Sequence, residues 1–146
     1  MEVTALTWIV AIGGLLLIGL LAVLQLIAVL NPRGAWTIRN VYGGDPSRTD
    51  PRAYFAFNQG WAWVDAFLWA PIQIAGSVGM VLGERWGFLL ALIASVPFVY
   101  SAIPIFIWDR DLGFRRSPFA YWVLTWGMFP SFGALEMVYC FFRLLE

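Results

Sequence analysis

Polar and apolar positions alternate along this chain in long blocks. Four stretches are apolar enough, and close enough to the roughly 20 residues a spanning helix needs, to predict four transmembrane helices. They run from about Ala5 to Leu30, Gly60 to Leu82, Trp86 to Trp108 and Pro118 to Leu145. The first carries no charged residue. The connections are residues 31–59, 83–85 and 109–117, and the shortest makes the second and third helices antiparallel neighbours. No second domain or internal repeat is visible. The expected fold is all-α: a polytopic integral membrane protein whose single domain, residues 1–146, is a four-helix transmembrane bundle.

The first stretch does not read as a cleaved leader. Residues 1–7 contain Glu2 and no basic residue, and the apolar run exceeds a signal core. Asn31-Pro32-Arg33-Gly34 ends the first helix, because proline disfavours helical geometry in the residue before it. Residues 35–42 contain Trp36, Ile38 and Val41, and read as a short interfacial helix or an extended linker. The long first loop suggests a surface loop held at the headgroups by Trp36 and Tyr42, or a lid or docking loop. Pro97, Pro104 and Pro130 predict bends, since proline removes a helix donor and crowds the preceding turn.

On the second helix, Ala62, Asp65, Trp69, Gln73, Gly76 and Met80 share one arc at helical spacing, extended by Ala66 and Ser77. Trp63, Phe67, Pro71, Ile74, Val78 and Val81 form the opposite side. The first face is expected to look inward and the second toward lipid. Ala75, Gly79 and Gly83 make a small-residue series suited to helix packing or a homodimer face.

Composition supports the membrane reading. Hydrophobic types make up 61% of the chain and charged types 12%, against about 45–50% and about 25% in typical soluble domains. Net charge is zero, so nothing points to nucleic acid. With no His and a single Cys, His-based metal or acid–base chemistry, intrachain disulfides and CxxC redox motifs are excluded. No cofactor motif is present, and no cofactor or metal is expected. Asp109 and Asp111 read as local charge pairing rather than metal ligands, and Cys140 as a packing residue.

All nine basic residues are arginine. Seven of them lie in the first and third loops: Arg33, Arg39, Arg48, Arg52, Arg110, Arg115 and Arg116. Positive-inside bias places residues 31–59 and 109–117 in the cytoplasm and both termini outside, in a membrane expected to be a bacterial plasma membrane. Arg115 and Arg116 are expected to meet anionic headgroups and fix topology.

Asp65 and Glu136 are the ionisable groups deepest within the spans, where charge is costly and usually functional or paired. Gln25 lies at a depth to meet Asp65, on a face with Thr7, Ala11, Gly14 and Ile18. Glu136 is expected to pair with Arg85 or Arg143, or to carry a proton or ligand. A polar line Asp65–Gln73–Tyr100–Glu136 is a candidate path across the membrane.

The layout, with a long first loop, a short second loop and buried acids, resembles the emopamil-binding and sigma-receptor-like group. It departs from that group at Ala70-Pro71, near the place where the group carries a carboxylate. The leading functional expectation is a protein that binds a hydrophobic small molecule or lipid in the membrane, or an accessory subunit of a larger complex. The alternatives are an oligomeric proton-linked transporter and an intramembrane enzyme using the buried carboxylates on an apolar substrate.

Overall fold

The computed structural model describes residues 1–42, 51–112 and 123–146. Among these the chain is helical, with no strand. Four helices are long and apolar enough to cross a membrane: Ala5–Leu30, Arg52–Val81, Arg85–Ile107 and Trp126–Leu145.

Helix α1 (Ala5–Leu30) starts at Thr4, whose hydroxyl accepts from the Thr7 amide while the Thr4 amide donates to the Thr7 hydroxyl. This reciprocal cap satisfies two donors that a helix start leaves open. The helix closes at Asn31, whose amide donates to Ile27. A short α2 (Ala35–Asn40) follows, so residues 35–40 are helical rather than extended. Tyr42 turns inward instead of toward headgroups. Its ring packs edge-on against Tyr54 at 5.8 Å, and its hydroxyl donates to the Ala28 carbonyl at 3.4 Å. Trp36 remains exposed.

Helix α3 (Pro51–Val64) begins before Gly60, where the apolar run begins. Asn58 and Gln59 lower the local hydropathy, but Tyr54 is fully buried beside Ala28 and Ala62 and draws this end against α1. A π-helical segment, Asp65–Trp69, joins α3 to α4 (Ala70–Val81). Pro71 gives a local reason for it: a proline has no N–H to donate, and its ring crowds the carbonyl four residues back. A wider turn relieves that clash. The same pairing recurs at the other end of the chain. The π-helical segment Val123–Met128 precedes Pro130, the second residue of α7 (Phe129–Leu145).

The third long helix is interrupted. Helix α5 (Arg85–Tyr100) contains Pro97, and α6 (Ala102–Leu112) starts after Ser101. Pro104 cannot donate to Tyr100, which explains the break at this point. The Ser101 amide still bonds Pro97 at 3.0 Å, and Ile105 bonds Ser101 at 3.2 Å.

Burial is arranged in three layers stacked along α1. Val10 and Ala11 pack with Met80, Phe88, Ala91 and Cys140. Leu17 and Ile18 pack with Trp69, Ala70, Ala94 and Phe98. Ala28 packs with Tyr42, Tyr54 and Ala62. Helices α4 and α5 approach at backbone distance. A Cβ on Gly76 would stand 2.6 Å from the Ala91 amide nitrogen, and one on Gly79 would stand 2.5 Å from the Gly87 Cα. The small-residue seam therefore differs from the series in the sequence. Gly76 replaces the half-buried Ala75, and Gly83 serves the turn into α5 at φ +74° rather than helix packing. Gly79 faces α5 within the chain.

Candidate functional site

The inward arc of the second long helix is buried in the structure. Ala62, Asp65, Trp69, Gln73, Ser77 and Met80 are each at most 6% exposed, while Trp63, Phe67, Ile74 and Val78 are each more than 40% exposed. Two carboxyl–amide pairs stand on this arc. The Gln25 amide donates to Asp65 Oδ2 at 3.0 Å, joining α1 to the start of the π-helical segment. The Gln73 amide donates to Glu136 Oε1 at 2.7 Å, joining α4 to α7, and reaches Ser77 Oγ at 3.4 Å. Gly14 of α1 backs the second pair. A Cβ there would collide with the Gln73 amide nitrogen and stand 3.3 Å from Glu136 Oε1.

Gln73 and Glu136 are both fully buried, yet Gln73 Oε1 and Glu136 Oε2 have no hydrogen-bond partner. Both are acceptors, and buried polar atoms are nearly always satisfied.

Glu136 pairs with neither Arg85 nor Arg143. Arg85 donates to the Leu144 carbonyl at 2.9 Å. Arg143 bonds the Glu2 carbonyl, meets Glu146 at 2.8 Å and lies over the Phe88 ring at 5.4 Å. These contacts tie the end of α7 to the N-terminus. Met1 adds to them by donating to the Gly83 carbonyl.

Asp65 and Gln73 are eight residues apart on one helix, about 12 Å along the axis. Trp69 stands between them on the helix and packs in one apolar cluster with Ile18 and Phe98. The Trp69 indole N–H is itself used, donating to the Ala94 carbonyl at 2.7 Å. Tyr100 lies on the outer face, 46% exposed. Gln73 and Glu136 thus form one polar site and Gln25 and Asp65 another, separated by an apolar layer that Tyr100 does not bridge. Cys140 is buried with its thiol 3.6 Å from the Met80 sulfur, as a packing residue would be. Arg115 and Arg116 lie outside the described residues, as do the side chains of Asp109, Arg110 and Asp111.

The direct Gln73–Glu136 bond and both π-helical segments go beyond what the periodicity conveys. Pro71 and Pro130 are the residues that signal the segments. The relative rotation of α4 and α7, which makes the bond, depends on tertiary packing. No protein-family model, curated protein or solved structure matches the chain.

Proposed function

We propose that this chain is an integral membrane protein whose four long helices cross the bilayer as a bundle and which acts through its outer surface. That surface would bind lipid or another apolar molecule, or a partner subunit. The observation that supports this reading is the inverted distribution of polarity. Leu16, Leu82 and Phe142 are each more than 60% exposed, while Glu136, Gln73 and Ser77 are fully buried. A water-soluble fold of this size does not present so much contiguous apolar surface, and bilayer tails cover such a surface without cost. Inside, carboxyl and amide groups are used in bonds between helices, which assigns them first to assembly of the bundle. The arginine bias supports both termini outside, with residues 31–59 and 109–117 in the cytoplasm.

A second reading, proton-linked transport by an oligomer, is favoured by one observation: the two unpartnered acceptor oxygens of Gln73 and Glu136. An intramembrane enzyme would need a substrate to reach a carboxyl, and Asp65 and Glu136 are both buried.

Native mass spectrometry of the protein, released gently from its own membranes, separates these readings. The expected result is a stoichiometric lipid, small molecule or second protein that remains bound in Glu136→Gln. A bare homo-oligomer whose reconstituted vesicles carry a proton flux, abolished by Glu136→Gln, would replace the first reading with the second.

A further inference from the structure

The Gln73–Glu136 pair has more acceptors than donors. The Gln73 amide nitrogen carries two hydrogens. It donates to Glu136 Oε1 at 2.7 Å and reaches Ser77 Oγ at 3.4 Å, so both hydrogens are used. Gln73 Oε1 and Glu136 Oε2 are left over, each on a fully buried side chain. Of the two groups only the carboxyl can turn from acceptor into donor, and it does so by taking up a proton. A single proton on Oε2, donated to Gln73 Oε1, serves both oxygens. A carboxylic acid and a primary amide can bond each other twice in this way, once through N–H and once through O–H.

No cation among the described residues bonds Glu136 Oε2. Helices α1 and α4 and the π-helical segment Val123–Met128 carry no ionisable side chain. Helix α5 has Arg85 and Tyr100 at its two ends. Arg85 donates to the Leu144 carbonyl, and Tyr100 lies on the outer face. Helix α7 adds Tyr139, Cys140 and Arg143. The Tyr139 hydroxyl bonds those of Thr7 and Thr4, and the Cys140 thiol meets the Met80 sulfur. Arg143 is held by Glu2 and Glu146. Its Nε has no partner, but it stands two turns from Glu136, about 10 Å along the axis. Asp65 lies beyond the Trp69 layer and is another acid. An ionised carboxylate buried without a cation is costly, and such a group is neutralised instead. Gly14 closes the α1 side, where a Cβ would collide with the Gln73 amide nitrogen, so the site suits the smallest donor.

We infer that Glu136 binds one proton and donates it to Gln73 Oε1, so that acid and amide join α4 to α7 by two bonds. The ligand of this site is the proton itself. The inference rests on the enclosed membrane bundle proposed above. It names what the transport reading would have to move, and it holds equally for a proton that stays in place.

The test is infrared spectroscopy of the full chain in bilayers at neutral pH, with glutamate carboxyl carbons labelled by 13C. The label separates the four glutamates from the five aspartates. Glu2, Glu84 and Glu146 are exposed, unlike Glu136. A protonated carboxyl absorbs apart from a carboxylate. The expected result is one label-shifted acid band in the wild-type chain, a readout that needs no folded variant. The band is expected to be lost in Glu136→Gln and kept in Asp65→Asn. It is expected to move to higher frequency in Gln73→Leu, where the acid loses its acceptor. Carboxylate bands alone in the labelled spectrum would overturn the proposal, since water or a cation would then serve the two oxygens. An acid band unmoved by Gln73→Leu would overturn it as well. Alkaline washing of membranes is read separately. A chain released by the wash fails the membrane reading itself, whereas a chain that stays but shows only carboxylate fails only this inference.

Discussion

Gly87→Leu is expected to destabilise the protein by about 3 kcal/mol, toward the upper end of the cost of overpacking a core. A Cβ at this position would collide with the backbone of Gly79 and Met80, not with a movable side chain. Relief therefore requires α4 and α5 to separate. Their separation would also loosen the layer that contains Phe88 and Ala91. Gly87→Ala is expected to show the same effect in smaller degree, because the first carbon already collides. Gly19→Ala is the control, since a Cβ there has nothing within 4 Å. It is expected to be neutral or slightly stabilising, as alanine favours helix over glycine by up to about 1 kcal/mol. Unfolding in mixed micelles of rising denaturing-detergent fraction measures all three. Equal stability of Gly87→Ala and Gly19→Ala would show that the helices do not meet at this seam.

Glu136→Leu is the second large effect. It removes the acceptor of the Gln73 amide and leaves a buried donor with only the long contact to Ser77. An unsatisfied buried group costs about 1–3 kcal/mol. Measured couplings between polar partners inside membranes are smaller, averaging about 0.6 kcal/mol with a maximum near 1.7, because the separated helices find other partners. The Gln73–Glu136 site is fully buried and backed by Gly14, so few alternatives remain after the substitution. The expected coupling in a double-mutant cycle with Gln73→Leu is therefore about 1.5 kcal/mol, near the membrane maximum. The double variant is expected to recover much of the lost stability, since removing both partners leaves no buried orphan. Glu136→Gln is expected to retain full stability. Its amide oxygen still accepts from Gln73, and its new N–H offers a donor to the unpartnered Gln73 Oε1. A Glu136→Gln chain as unstable as Glu136→Leu would contradict the hydrogen-bond account of this site.

How much of this was legible in the sequence differs between elements. The charge-free run of α1 and the inward arc from Ala62 to Met80 follow from hydrophobic period alone, because burial and periodicity carry the same information. The meeting of Gln25 with Asp65 was also accessible, since both lie at one depth on inward faces. The early start of α3 was not. Its Asn58 and Gln59 read as loop residues, and only the contact of Tyr54 with Ala28 and Ala62 shows what holds that segment. The partner of Glu136 was hidden for a different reason. Charge suggests an arginine, but Arg85 and Arg143 are engaged with the chain ends. Tyr100 illustrates the limit of depth arguments: it has the right height for a polar path, and the helix turns it outward.

In the proposed arrangement the exposed apolar faces meet lipid while the polar arc is enclosed by protein. Nitroxide scanning of residues 63–81 tests it most directly, in a Cys140→Ser chain reconstituted into bilayers. The account predicts oxygen accessibility that oscillates with a helical period, with maxima at Phe67, Ile74 and Val78 and negligible access of a water-soluble nickel relaxant there. Strong nickel access at those three positions, or an accessibility profile with no period, would contradict it.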